Sequence, residues 1–184
     1  MNSRPLDTLA EIETAVWQEL TRAPHDKHHE WRTPVLATVD GDAADARTVV
    51  LREVNAAART LLIFSDARAA KVAQLQQRPL GMLVMWSRRL SWQLRLRVQL
   101  QAQTDGLAVA SRWARLKLSP AAQDYLSPLA PGSEQHAPPP PQRENREHFA
   151  VLTASVQSID WLALQSPSHR RARFDADGAR WLVP

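Results

Sequence analysis

Residues 90–101 read Leu90-Ser91-Trp92-Gln93-Leu94-Arg95-Leu96-Arg97-Val98-Gln99-Leu100-Gln101. Leu90, Trp92, Leu94, Leu96, Val98 and Leu100 alternate with polar residues along the whole stretch. Side chains of a strand point to opposite faces with a period of two, so this is a long half-buried β-strand. One long strand among several short ones suits a barrel better than an open parallel sheet. Its polar face, with Gln93, Arg95 and Arg97, either lines a ligand mouth or meets water.

On the N-terminal side, Leu6, Leu9, Ile12, Val16 and Leu20 recur at helical spacing, which predicts an amphipathic helix over 6–20 with Asp7 as N-cap. Arg22 to Arg32 is polar and His-rich and reads as a loop. Short strands are predicted at 34–39, 47–54, 60–64 and 80–86, from β-branched and apolar runs broken by turn residues such as Asp40-Gly41-Asp42. Between the last two, Asp66 to Gln77 reads as a helix with Asp66 as its cap and Ala70, Val72, Ala73 and Leu75 facing inward. On the C-terminal side, Gly106 to Leu118 looks helical, and Ser119-Pro120-Ala121-Ala122 opens a second short helix. The Pro-rich stretch 127–142, with Pro138 to Pro141 in a row, reads as a stiff extended loop inside the fold. Asn145 to Phe149 forms a helical turn, 151–159 is a strand, and 169–174 with 180–183 makes a terminal hairpin around Asp175-Ala176-Asp177-Gly178. The sum is an α+β chain, 1–184 as a single domain, built on an antiparallel barrel with peripheral helices.

Bulk composition narrows the function. The chain has 184 residues, 44% of them hydrophobic, enough for one real core. It has no cysteine, which excludes disulfides, thiolate metal sites and cysteine nucleophiles. No apolar run approaches the roughly 20 residues that span a bilayer, and the N-terminal pattern carries Asp and Glu, unlike a signal peptide. The expectation is a cytoplasmic protein with no membrane partner. A net charge of +4 comes from 23 basic against 19 acidic side chains, which reads as a solvated surface plus one anion site, without nucleic acid as a partner. His25, His28 and His29 match no zinc spacing and read as solvated loop. Ser65 has no His–Asp pair in the pattern around it. The seven Trp with interspersed Arg read as core or subunit contact before they read as stacking platforms.

Three pieces in consecutive β elements carry a family resemblance. Arg47-Thr48-Val49-Val50-Leu51-Arg52 is similar to an Arg-x-Val-Leu-Leu-Lys strand. Phe64-Ser65-Asp66-Ala67-Arg68-Ala69-Ala70-Lys71 is similar to a Tyr/Phe-Thr-Asn-x-x-Ser-Arg-Lys turn that opens a helix. Trp86 through Gln93-Leu94-Arg95-Leu96 is similar to a Trp…Arg-Gln-Val-Arg-Val strand. Together they resemble the pyridoxamine 5′-phosphate oxidase-like family, in its broad branch of FMN-binding proteins of uncertain substrate. Ile159-Asp160-Trp161 and Arg171-Ala172-Arg173-Phe174 look like that family's terminal Trp and Arg positions.

The resemblance implies an FMN-binding split β-barrel of Greek-key type, working as a homodimer with the FMN site at the interface. FMN carries a dianionic phosphate, a polar chain and a flat ring. An Arg fork grips two phosphate oxygens at once. By resemblance Arg47 and Lys71 hold the phosphate, with Ser65 and the helix N-terminus after Phe64 adding donors. Thr48, Val49 and Val50 follow Arg47 along the flavin edge. Gln93 meets the pyrimidine-like ring, Trp161 either covers the ring or sits in the core, and Arg171 and Arg173 assist. Two departures stand out. Ala69-Ala70 replaces the family's Ser-Arg before the Lys, and Arg68, Arg171 or Arg173 would have to compensate. The Tyr-x-x-x-Arg-Pro-x-x-Ser stretch for substrate phosphate is absent, which argues against pyridoxamine phosphate as the substrate. The implied activity is FMN-dependent oxidation or reduction of an unidentified small molecule. The alternatives are an FMN-binding or storage module without turnover, and a split barrel that has exchanged flavin for another ligand.

Overall fold

The computed structural model describes residues 7–135, 148–164 and 168–184. Nine strands form one antiparallel sheet that curls on itself: β1 (Val35–Asp40), β2 (Ala43–Thr48), β3 (Leu51–Asn55), β4 (Thr60–Asp66), β5 (Leu80–Ser87), β6 (Trp92–Gln103), β7 (Phe149–Ala163), β8 (Arg170–Asp175) and β9 (Gly178–Leu182). The order is β2-β1-β5-β6-β7-β4-β3, with the β8–β9 hairpin also on β7. β6 and β7 pair along almost their whole length. The other edge of β7 is shared, its first half bonding β4 and its second half β8. One long pair whose neighbour changes partway is what splits the barrel. The α+β split-barrel architecture read from 90–101 is the one observed.

The inward positions of β6, Trp92, Leu94, Leu96, Val98 and Leu100, are all buried. They meet Leu36, Leu83, Ile159, Trp161 and Phe174 in one core. Helix α1 (Leu9–Arg22) closes this core with Ile12, Val16 and Leu20. Helix α2 (Ala70–Gln77) packs on β1 and β6. Helix α3 (Gly106–Leu116) and a 3-10 turn, Pro120–Tyr125, cover a second cluster around Phe149, Trp113 and Tyr125.

Several local expectations change. The predicted strand 47–54 is two strands, because the chain turns the barrel corner at Val49–Val50. Val49 donates its N–H to the Pro34 carbonyl and buries its side chain, and the chain then leaves β1 to pair with β4. Thr8, not Asp7, caps α1. Its hydroxyl accepts from the Glu11 N–H while the Glu11 carboxylate accepts from the Thr8 N–H, a reciprocal capping box. Helix α2 starts at Ala70, not Asp66, because Asp66 ends β4 and turns its carboxylate to Arg68. Its buried face is Val72, Gln74 and Leu75, while Ala70 and Ala73 are exposed. The 22–32 loop contains a 3-10 turn, Glu30–Arg32, and His29 is buried there rather than solvated. His29 Nδ1 accepts from the Trp31 N–H, so its Nε2–H donates to Glu19 at 2.9 Å. The Pro138–Pro141 run and residues 145–147 of the predicted 145–149 turn lie outside the described residues, and Phe149 already opens β7.

Candidate functional site

Three elements that are distant in sequence meet beside α2. Arg47 lies on β2, the last strand at one end of the sheet path, directly across from Leu36 on β1. Ser65 lies near the end of β4, buried. Lys71 sits in the first turn of α2 and donates from Nζ to Ser65 Oγ at 3.1 Å. Sheet pleating explains the convergence. Arg47, Asp45 and Thr38 share the inward face at the β1–β2 edge, where α2 crosses. Helical spacing then sets Lys71 and Gln74 three residues apart on one side of α2.

The electrostatics of this cradle favour an anion. Burial pushes the Lys71 ammonium below its ordinary proton affinity, and the nearby Arg47 charge adds to the effect. Asp66 and Asp45 oppose it without cancelling it. Two cations held together and partly desolvated are a destabilising arrangement that a bound dianion relieves. A flavin phosphate therefore fits the donors of Arg47 and Lys71, while the Ser65 hydroxyl donates to the Asp66 carbonyl and accepts from Lys71. The α2 N-terminus adds backbone donors, since its N-cap Ala69 supplies no side-chain hydrogen bond. The Ala69-Ala70 departure removes two further side-chain donors. Arg68 does not replace them, because it grips Asp66 through two bonds and reaches the carbonyls of Ser127, Pro128 and Leu129.

The remaining predicted residues divide by face. Gln93 pairs with Trp86 and Leu162, on the outer face of the sheet. Thr48 also faces outward, opposite Val35. Arg171 and Arg173 lie on that outer face too, opposite Leu162 and Asp160. Arg171 holds Asp160 through two bonds at 3.0 and 2.7 Å, and Arg173 holds Asp175 at 2.8 Å. Within one chain these residues are separated from Arg47 and Lys71 by the thickness of the sheet. Val49 is buried in the corner and Val50 is partly buried beside it. Phe64 points away from its neighbour Ser65, toward Phe149 at 5.1 Å. Trp161 lies in the core, edge-on to Trp92 at 5.3 Å.

The sequence reading missed Thr38, Asp45, Gln74 and the environment of Arg52. Asp45 was open to inference, because it stands two residues before Arg47 and therefore on the same strand face. Arg52 lies over the Phe64 ring, 5.7 Å from its centroid, and beside the Tyr125 hydroxyl. Burial raises the Tyr125 proton affinity, and the Arg52 charge opposes that rise. The Arg52 Nε is buried with no hydrogen-bond partner among the described residues. A cleft of about 600 Å³ opens on the same sheet face, lined by Glu53, Leu62, Gln103, Arg112 and Thr153. No group of acidic or His side chains among the described residues could hold a metal ion. Among the described residues no helix is long and apolar enough to cross a membrane.

Known proteins share the fold. Residues 14–104 match the family model described as the pyridoxamine 5′-phosphate oxidase FMN-binding domain. A pyridoxamine 5′-phosphate oxidase-related, FMN-binding protein from Nostoc punctiforme superposes with a TM-score of 0.74 at 23% identity, over 93% of this chain and 96% of its own. PhzG from Burkholderia lata, solved with tetrahydrophenazine-1-carboxylic acid, superposes with a TM-score of 0.72 at 17% identity, over 93% of this chain and 91% of its own. A pyridoxamine 5′-phosphate oxidase homologue from Listeria innocua reaches 0.53 at 16% identity, over 80% and 95%. No curated protein matches the chain. The fold is that of the split barrels. The match over residues 14–104 and the superpositions are consistent with a member of the pyridoxamine 5′-phosphate oxidase-like FMN-binding family, in its broad branch.

Proposed function

We propose that this protein binds FMN in the Arg47–Lys71 cradle and acts as an FMN-dependent oxidoreductase on a small molecule. The observation that carries this reading is a partly desolvated Lys71 that bonds the buried Ser65 hydroxyl within range of the Arg47 charge. Arg47 and Lys71 would bind the phosphate, and Ser65 would orient the Lys71 ammonium. Bound FMN supplies hydride or electron transfer, so the chain needs no side-chain nucleophile.

The same reading makes the protein a homodimer. Gln93 and Arg171 face outward while Arg47 faces inward, so one flavin meets both sets only if a second copy brings the outer face. The half-exposed Val35 and Trp86 on that face support a subunit contact there. Arg171 already holds Asp160, so its role is to position a polar group for the ring edge rather than to add free charge.

Three measurements test the reading. FMN titration should quench flavin fluorescence with a micromolar midpoint. Turnover of a reductant and oxygen with added FMN separates an enzyme from an FMN store. Binding without turnover across a panel of small amines and carboxylic acids favours the storage module. A monomer by light scattering that still binds FMN contradicts the shared site.

A further inference from the structure

Both ends of the Arg47 fork are already occupied by the protein itself. Nη2 bonds the Asp45 carboxylate, and it also donates to Gln74 Oε1 at 3.1 Å. Nη1 donates to Thr38 Oγ1 at 2.5 Å and more weakly to the Leu36 carbonyl at 3.4 Å. Gln74, buried on α2, closes the cage. Its amide oxygen also accepts from Thr38 at 2.6 Å, and its amide nitrogen donates to Asp45 at 2.9 Å. Arg47, one of the two cations of the proposed phosphate site, is therefore paired with an internal anion.

We propose that Asp45 is a built-in stand-in for the ligand phosphate, which competes for Arg47 and sets how tightly a phosphorylated flavin is held. The proposal rests on the FMN reading above. Its geometry permits exchange. Asp45 lies on the sheet-end strand β2 with 40% of its side chain exposed, so it can turn to water without becoming a buried unpaired charge. Thr38 and Gln74 are buried and stay in place to aim the guanidinium once it is released. A dianionic phosphate also gains Lys71, which Asp45 does not bond, and this favours the exchange. With two donors missing at Ala69 and Ala70, the competition makes the flavin a readily exchanged ligand rather than a permanently lodged one.

The test measures FMN and riboflavin affinity for the full-length wild type, Asp45→Asn, Asp45→Ala and Arg47→Ala. Riboflavin carries the same ring and no phosphate, so it reports structural damage separately. The expected result is FMN binding about tenfold tighter in both Asp45 variants, with riboflavin affinity unchanged. Arg47→Ala should weaken FMN binding. Unchanged or weaker FMN binding in both Asp45 variants, with Arg47→Ala still weakening it, would overturn the proposal and leave the cradle intact. Equal FMN affinity in wild type and Arg47→Ala would remove the cradle reading, and this proposal with it. Asp45→Ala, which lacks any acceptor, keeps the test decisive if Asp45→Asn fails to fold.

Discussion

Arg47 and Lys71 lie 24 residues apart, on a strand and on a helix, yet the charge of Arg47 helps hold the Lys71 ammonium below its ordinary proton affinity. The fold brings two cations together in a partly dry place, and their mutual repulsion costs stability in the free protein. A site that costs stability in the free protein is the usual mark of a binding function.

Lys71→Met should therefore stabilise the ligand-free protein. The substitution keeps the stem volume and removes a desolvated charge that faces another. Its folded-state proton affinity is lowered, so below that value the charged form weakens the fold, and the deficit shrinks as pH rises toward 10.5. At pH 7 a gain of about 1 kcal/mol would raise the melting temperature by about 2–4 °C. Thermal unfolding without flavin reads this directly, and a lower melting temperature would show that Lys71 has a stabilising role.

Acid sensitivity should be traceable to Glu30. The Ser87 hydroxyl bonded at 2.6 Å, followed by the Arg89 N–H and Arg88, brings its carboxyl from 4.5 down to about 2. A lowered carboxylate contributes stability that is present above pH 4.5 and is lost as pH falls through about 2. Ser87→Ala removes the largest of these bonds. The variant should start less stable at pH 6 and lose less than wild type between pH 5 and pH 3, as followed by denaturant unfolding.

Gly81 on β5 cannot carry a side chain. A Cβ there would stand 2.6 Å from Leu100 Cδ1 and 2.9 Å from the Ala37 carbonyl oxygen. Leu100 can rotate, but the β1 backbone cannot. Gly81→Ala should cost about 1–3 kcal/mol in denaturant unfolding. A neutral result would mean that β1 and β5 separate easily, and would place the β1–β2 cradle on a soft edge.

Trp161→Phe should lower stability and leave the flavin site alone. The indole is 2% exposed and its N–H has no partner among the described residues, so the loss is one of packing against Trp92. A cost of about 1–3 kcal/mol is expected, with FMN affinity within about twofold of wild type. A large loss of FMN affinity would bring Trp161 to the ring instead.

The fold was legible where periodicity was strong. The alternation of 90–101 fixed β6, and the helical spacing of Leu9, Ile12, Val16 and Leu20 fixed α1. The corner at Val49–Val50 was hidden because β-branched residues run through it without a Gly or Pro, and only the long-range bond to Pro34 reveals the turn. Asp66 looked like a helix cap, but Arg68, two residues on, holds its carboxylate in a turn before the helix. In the site, Arg47, Ser65 and Lys71 were readable because the motif keeps their spacing. The Thr38–Asp45–Gln74 cage was not, because it joins two strands to a helix and depends on which buried polar groups find each other. The inward–outward division of Arg47 and Gln93 follows from strand register, which local sequence does not fix across non-adjacent strands.

The central claim is that Arg47 and Lys71 hold a flavin phosphate. Parallel titration of wild type and the Arg47→Ala/Lys71→Ala double variant with FMN tests it, with riboflavin as the phosphate-free control. The account predicts micromolar FMN binding by wild type, a loss of several kcal/mol, on the order of 3, in the double variant, and equal riboflavin affinity in both. Equal FMN affinity in the two proteins, or no FMN binding by wild type at micromolar levels, would contradict it.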